Sequence, residues 1–148
     1  MRLYPLLPEQ FAVLKPILAE RLKESHLDKV TTPEIIIEKL THLYSIRSAG
    51  VYVDDVKDPK HVLGMTHFPS LWGKGVDATI SLIYTRPAFR GNQEHVDTLY
   101  RTAENYARLN GASTLTGSSW LLDGSKRTDA LWEKHGFSLQ SITYTKSL

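Results

Sequence analysis

The run Thr85-Arg86-Pro87-Ala88-Phe89-Arg90-Gly91-Asn92 places two arginines four residues apart, between an apolar stretch and an amphipathic one. If the first stretch is a strand and the second a helix, both arginines lie beside a helix N-terminus. Unpaired backbone N–H groups and the positive end of the helix dipole favour an anion there. On spacing alone a plainer reading stands ahead of this one: Pro87 ends the strand, Gly91 makes a turn and the arginines are solvated. Other signatures of chemistry are missing. No GxxxxGK[ST] or GxGxxG phosphate loop occurs, and Gly117-Ser118-Ser119 does not fit the GxSxG nucleophile turn. The histidines at 26, 42, 61, 67, 95 and 135 form no HExxH pair, so no metal site is expected. With no cysteine, a disulfide framework, cysteine-held metals and a thiol nucleophile are all excluded.

The elements that would position this junction follow from hydrophobic periodicity. Residues 2–6 read as a short strand. A helical pattern from Pro8 carries Phe11, Leu14, Ile17, Leu18 and Leu22, and Pro16 should kink or split it. A second helix opens at Thr31-Thr32-Pro33-Glu34, with capping hydroxyl, early proline and first-turn acid, and runs to about Tyr44. Residues 50–53 and 61–67 are β-rich runs separated by turn chemistry, and a loop follows at 69–75. Residues 78–84 form the most apolar strand, stopped by Pro87. Residues 92–109 are a long amphipathic helix ending before Gly111, which suits a left-handed cap. Residues 113–119 read as a strand, 127–134 as a helix and 138–145 as an alternating strand. The order β-α-α-β-β-β-α-β-α-β is that of an α/β (α+β) domain on a mixed sheet.

At 148 residues the chain is expected to be one domain, 1–148. A net charge of +2 is no nucleic-acid footprint. Arg86, Arg90, Arg101 and Arg108 lie on or near the long helix but are interleaved with Glu94, Asp97 and Glu104, so nucleic-acid binding is not expected. No run approaches the roughly 18 apolar residues of a membrane span, and no signal-peptide core opens the chain. A soluble, cytoplasmic protein with no membrane partner is the expectation.

A second segment changes the weight of the first. Ala130-Leu131-Trp132-Glu133-Lys134-His135-Gly136-Phe137 reads as a helix, a glycine cap and a strand start. Together the two segments resemble the GNAT superfamily of N-acetyltransferases, with its V-x-P-x-x-R-G-x-G-x-G/A and N-x-x-A-x-x-L-Y-E-K-x-G-F motifs. The order of elements along the chain agrees with that family. The resemblance implies a GNAT-like fold and acetyl-coenzyme A as cosubstrate, without a metal. It implies that an amine on a small molecule or a protein attacks the acetyl thioester directly. Backbone N–H groups around Ile83, Tyr84 and Thr85 would then hold the acetyl carbonyl and stabilise its oxyanion. Arg90, Gly91, Asn92, Gln93 and His95 would line the coenzyme pyrophosphate. Ser125 stands at the second motif's asparagine.

Departures from the motifs are specific. Gln93 and His95 replace small residues that let the backbone approach the pyrophosphate, and Glu94 adds a negative charge. Trp132 replaces the tyrosine that resembles a general acid in many members, and an indole cannot serve so at neutral pH. The nearest candidates for a general base are His67 and Asp77; a strand-edge histidine and a turn aspartate are the alternatives, and the proton could leave through water. With no thiol, direct transfer rather than an acetyl-cysteine route is the chemistry to test. These departures support a second reading: a GNAT-fold protein impaired in catalysis that binds a partner protein, as a phage protein modulating a host enzyme would. Trp72 and Trp120 would be its contact anchors, or would pack over the sheet.

Overall fold

The computed structural model describes residues 1–118, 125–139, 146 and 148. The chain groups into two compact units, Met1–Ser118 and Ser119–Leu148. In the first, β1 (Tyr4–Pro5) leads through a 3-10 helix (Pro8–Leu14) into α1 (Lys15–Glu24) and α2 (Pro33–Ser45). Then come β2 (Ala49–Val53), β3 (His61–Pro69), β4 (Val76–Thr85), a one-turn 3-10 helix (Pro87–Phe89), α3 (Gln93–Leu109) and β5 (Ala112–Thr116). The five strands form one sheet in the order β1-β2-β3-β4-β5, antiparallel except for the parallel β4–β5 pair. This is the mixed sheet of an α+β fold, in the element order that the sequence implies as far as its last described helix.

Local chemistry explains most boundaries. Pro16 splits the first helical pattern: a 3-10 segment ends at Leu14 and α1 begins at Lys15, with the proline in its first turn, where the missing N–H costs nothing. Thr32 caps α2, its Oγ1 accepting from the Ile35 N–H at 3.3 Å. The first strand is shorter than residues 2–6, because Pro5 has no N–H to extend a ladder. The expected loop at 69–75 is narrower: β3 and β4 continue as a hairpin to Pro69 and Val76, and Ser70 N–H donates to the Gly75 carbonyl at 2.9 Å.

The two faces of the sheet carry different cores. On one, Phe11, Leu14, Ile17, Leu18 and Leu40 from the first helices cluster with Leu6, Val51, Val53, Val62 and Tyr84. On the other lies α3, whose Leu99, Tyr100, Ala103, Tyr106 and Ala107 are buried. β3 is covered on both sides, which is why all of His61–Thr66 is buried and the strand shows no polar alternation. Within the β3–β4 ladder Gly64 pairs Leu82 while Met65 pairs Ile80, which leaves Ser81 as an extra residue. Such a bulge bends β4 and increases its twist.

In the second unit α4 (Ser125–Lys134) ends in a complete Schellman cap. Gly136 takes φ +84°, its N–H donates to Glu133 O at 3.0 Å and the Phe137 N–H donates to Trp132 O at 3.1 Å. The accompanying apolar contact is the edge-to-face pair Trp132–Phe137, with centroids 4.9 Å apart. The motif's aromatic, glycine and phenylalanine thus have a structural role as the helix stop. Trp120 and residues 140–145 of the expected last strand lie outside the described residues.

Candidate active site

The junction singled out in the sequence is a strand–turn–helix unit. β4 runs to Thr85, the 3-10 turn Pro87–Phe89 follows, and α3 starts at Gln93 with Asn92 as its cap. β4 is paired along its length with β3, but β5 pairs it only from Val76 to Thr79. Beyond Thr79 the β5 side of β4 has no strand partner among the described residues. Which backbone groups face that open side follows from alternation. The Arg86 N–H donates to Lys60 O on the β3 side at 3.0 Å. In an antiparallel ladder every second residue faces the same neighbour, so Tyr84 also turns its N–H toward β3. Ile83 and Thr85 turn theirs to the open side. Of the three residues expected to present N–H groups, the geometry selects two.

At the turn, Gly91 takes φ +94°, with open space where a Cβ would stand. Among the described residues no protein acceptor meets the N–H groups of Gly91, Asn92 or Gln93. The next two are already used: Asn92 Oδ1 accepts from Glu94 N–H at 3.0 Å and His95 N–H at 3.4 Å. The side chains that replace the motif's small residues both turn aside. Gln93 Nε2 donates to Asp97 Oδ1 at 2.7 Å along the helix surface. The His95 ring packs edge-on against that of His61, centroids 4.8 Å apart. The bulk expected to crowd the loop therefore points elsewhere.

His61 is buried, with Nδ1 2.9 Å from Thr85 Oγ1. Burial holds its pKa below the ordinary 6.5, and the neighbouring His95 pushes the same way against Asp54. The neutral ring thus supports the end of β4 from beneath. His95 Nδ1 is buried and has no hydrogen-bond partner among the described residues.

Both arginines are held by carboxylates of α1. Arg86 Nε lies 3.1 Å from Glu20 Oε2, and its Nη1 lies 3.1 Å from Asp58 Oδ1. Arg90 donates through Nη1 and Nη2 to the two oxygens of Glu24, each at 2.8 Å, and through Nε to the Thr85 carbonyl at 2.8 Å. Tyr84 donates its phenol to Glu24 Oε2 at 2.6 Å, and its ring lies under the Arg90 guanidinium at 5.2 Å. The hydrogen bond from Arg90 lowers the Glu24 carboxyl to about 2, with Tyr84 acting in the same sense. Burial and the adjacent Glu24 push the Tyr84 phenol up to about 12, and Glu24 raises the Arg90 guanidinium. Glu20, Glu24 and Tyr84 line, with Lys23, Arg86 and Pro87–Phe89, a groove of about 660 Å³ between α1 and the turn. Arg90 was expected to line a pyrophosphate; its forked end faces Glu24 instead.

The two candidate bases are placed far from this end of β4. His67 is opposite Ala78, and a rise of about 3.4 Å per residue puts Ala78 roughly 17 Å from Ile83. Its Nδ1 is 2.6 Å from the Tyr106 hydroxyl, which burial raises to about 12. Asp77 is one residue further still and accepts from Thr114 Oγ1 at 2.7 Å across the β4–β5 pair. Neither is within hydrogen-bond reach of a group at Ile83 or Thr85. Trp132 and Ser125 belong to α4 in the second unit, Trp132 as the aromatic of its cap. Glu24 and the phenol of Tyr84 were missed in the sequence. Their signal is a pair of glutamates one helical turn apart, at 20 and 24, facing arginines at 86 and 90.

No family model and no curated protein matches the sequence. Solved structures do match the fold. A ribosomal-protein-alanine N-acetyltransferase of Brucella melitensis biovar Abortus 2308 superposes with a TM-score of 0.73 at 15% identity, over 100% of each chain. A predicted acetyltransferase of Clostridium acetobutylicum, solved with acetyl-CoA, gives 0.77 at 14% identity, over 99% of this chain and 95% of that one. An aminoglycoside acetyltransferase from an uncultured soil metagenomic sample gives 0.76 at 12% identity, over 99% of this chain and 97% of that one. The chain has the fold of the GNAT acetyltransferases.

Proposed function

We propose that the chain transfers an acetyl group from acetyl-coenzyme A to an amine. One observation carries this reading: among the described residues, the edge of β4 to which the Ile83 and Thr85 N–H groups turn has no strand partner and leads directly into a turn of three unaccepted N–H groups. An amide-bearing chain ending in a diphosphate matches that series of donors, strand edge first and helix N-terminus second. Gly91 leaves the approach open, and Gln93 and His95 point away from it. Bound there, acetyl-coenzyme A would supply an activated thioester carbonyl. Ile83 and Thr85 N–H would hold and polarise that carbonyl as preorganised donors, and Gly91, Asn92 and Gln93 N–H would hold the diphosphate. The phenol of Tyr84 is already committed to Glu24, to which it donates its proton. With His67 and Asp77 distant, the amine proton leaves through water. The acceptor is an amine on a small molecule or on a protein.

A second reading rests on Asn92. Its carboxamide already satisfies two N–H groups of the α3 terminus, which favours a protein that has given up the coenzyme and binds a protein partner. Calorimetric titration with acetyl-coenzyme A separates the two. Binding, with thiol release in the presence of an amine, is the expected result; no heat up to about millimolar ligand overturns it. Because the chain has no cysteine, a thiol reagent reports the released coenzyme without a protein background.

A further inference from the structure

The coenzyme reading leaves open what the two arginines do, and the geometry answers for Arg90. We propose that Glu24 and Arg90 are positioning residues for the coenzyme loop, and that Arg90 acts through its ion pair rather than as a ligand of phosphate. This inference rests on the reading of residues 83–93 as a coenzyme site.

Three of the guanidinium's N–H directions are spent inside the protein, two on Glu24 and one on the Thr85 carbonyl. Glu24 is itself fixed from a second side, by the phenol of the buried Tyr84. The result is a closed network joining the C-terminal turn of α1, the last residues of β4 and the residue before Gly91. A bidentate arginine–carboxylate pair is directional, so it sets where the backbone of Arg90 lies as well as its charge. Gly91 follows at once with a left-handed φ that holds no side chain against a neighbour. The direction in which the N–H groups of residues 91–93 point therefore depends on where Arg90 is pinned. Were Arg90 a phosphate ligand instead, its forked end would need to leave Glu24, and a half-exposed carboxylate would be left beside an incoming dianion.

Arg86 provides an internal control. It is also paired to α1, through Glu20, but it has Asp58 as a second partner on the β2–β3 connection. Loss of Glu20 leaves Arg86 held by Asp58; loss of Glu24 leaves Arg90 with only the Thr85 carbonyl and the face of the Tyr84 ring among the described residues.

The test is calorimetric titration of coenzyme A into the full chain and into E24Q, E24D, R90Q, the E24Q/R90Q double variant and E20Q, with thermal melts of each. Positioning predicts that E24Q and R90Q each weaken binding about tenfold, since the pair acts as one unit, and that the double variant loses no more than either. E24D should recover part of the loss, and E20Q should bind like the wild type. A Kd in E24Q equal to or tighter than that of the wild type overturns the proposal, because Glu24 would then compete for Arg90 or do nothing. So does a further loss in the double variant. If E24Q melts below the titration temperature, R90Q, R90K and E24D decide by the same comparison. If the wild type itself does not bind coenzyme A, the site reading fails and this one with it; binding that both variants leave unchanged sinks the positioning role alone.

Discussion

Glu24 and Arg90, 66 residues apart in the chain, close a bidentate ion pair with both N···O distances at 2.8 Å. This pair ties the end of the first helix to the turn that opens α3. Its acid sensitivity follows from the carboxylate. The folded state holds the Glu24 carboxyl at about 2 against an ordinary 4.5, so the unfolded chain binds the proton first. The pair's contribution is thus present above 4.5 and disappears as pH falls toward 2. A shift of that size corresponds in isolation to about 3 kcal/mol. With the Glu24 side chain 42% exposed, screening reduces the expected value to about 1 kcal/mol. Urea unfolding of the wild type and E24Q at neutral pH and between those two values checks this. The gap between the two proteins should shrink in acid; a constant gap contradicts the assignment.

Gly91 is where the turn needs a left-handed backbone, at φ +94°. Since a Cβ there would meet nothing within 4 Å, G91A should cost conformational strain alone, roughly 1–2 kcal/mol. It should also weaken coenzyme A by misdirecting the N–H groups of residues 91–93. G91N should be milder than G91A on both counts, because asparagine tolerates positive φ. Equal melts and equal binding for G91A and the wild type would show that the turn has another way to close.

His61 should resist protonation in the folded state. Burial disfavours its charged form, so on falling pH the unfolded chain takes up the proton at its ordinary 6.5 while the folded one does not. Stability is then full above 6.5 and declines below it. Histidine ring resonances followed by NMR should show the His61 midpoint below the ordinary 6.5. An unshifted midpoint for His61 refutes the prediction.

How much of this was legible in the sequence varies by residue. Proline and capping rules placed the split at Pro16, the start of α2 at Thr32 and the end of β4 near Pro87, because these are local decisions. The Thr85-to-Asn92 junction and the glycine stop at Gly136 were legible for the same reason. What Arg90 pairs with was not, since an ion pair between positions 24 and 90 leaves no local periodicity to read. The Ser81 bulge was equally hidden: a one-residue insertion in a ladder depends on its partner strand. His67 and Asp77 looked near the site because they are near in sequence. In an extended strand a few residues are already many ångströms.

Gly50 tests the packing beneath the sheet's second face. A Cβ at this position would lie 2.7 Å from Tyr106 Cε2, in a ring that is buried and also holds His67 through its hydroxyl. G50A should therefore destabilise by about 1–3 kcal/mol through overpacking. A melt that does not fall would mean that the Tyr106 ring moves freely.

His67 and Asp77 are near the junction in sequence but not in space. His67 hydrogen-bonds Tyr106, and Asp77 accepts from Thr114, both roughly 17 Å or more along β4 from Ile83. General-base catalysis is worth about 10²–10⁴ in rate when the group is in reach. H67N and D77N should therefore keep acetyl transfer within a few-fold of the wild type, with the pH dependence of kcat/KM unchanged. D77N retains an acceptor for Thr114, so it should also keep its fold; H67N loses only one hydrogen bond, about 1 kcal/mol. A hundredfold loss in kcat in either variant, at an unchanged melting temperature, would place a proton-transfer step at the hairpin end of β4 and would move the reacting carbonyl there with it.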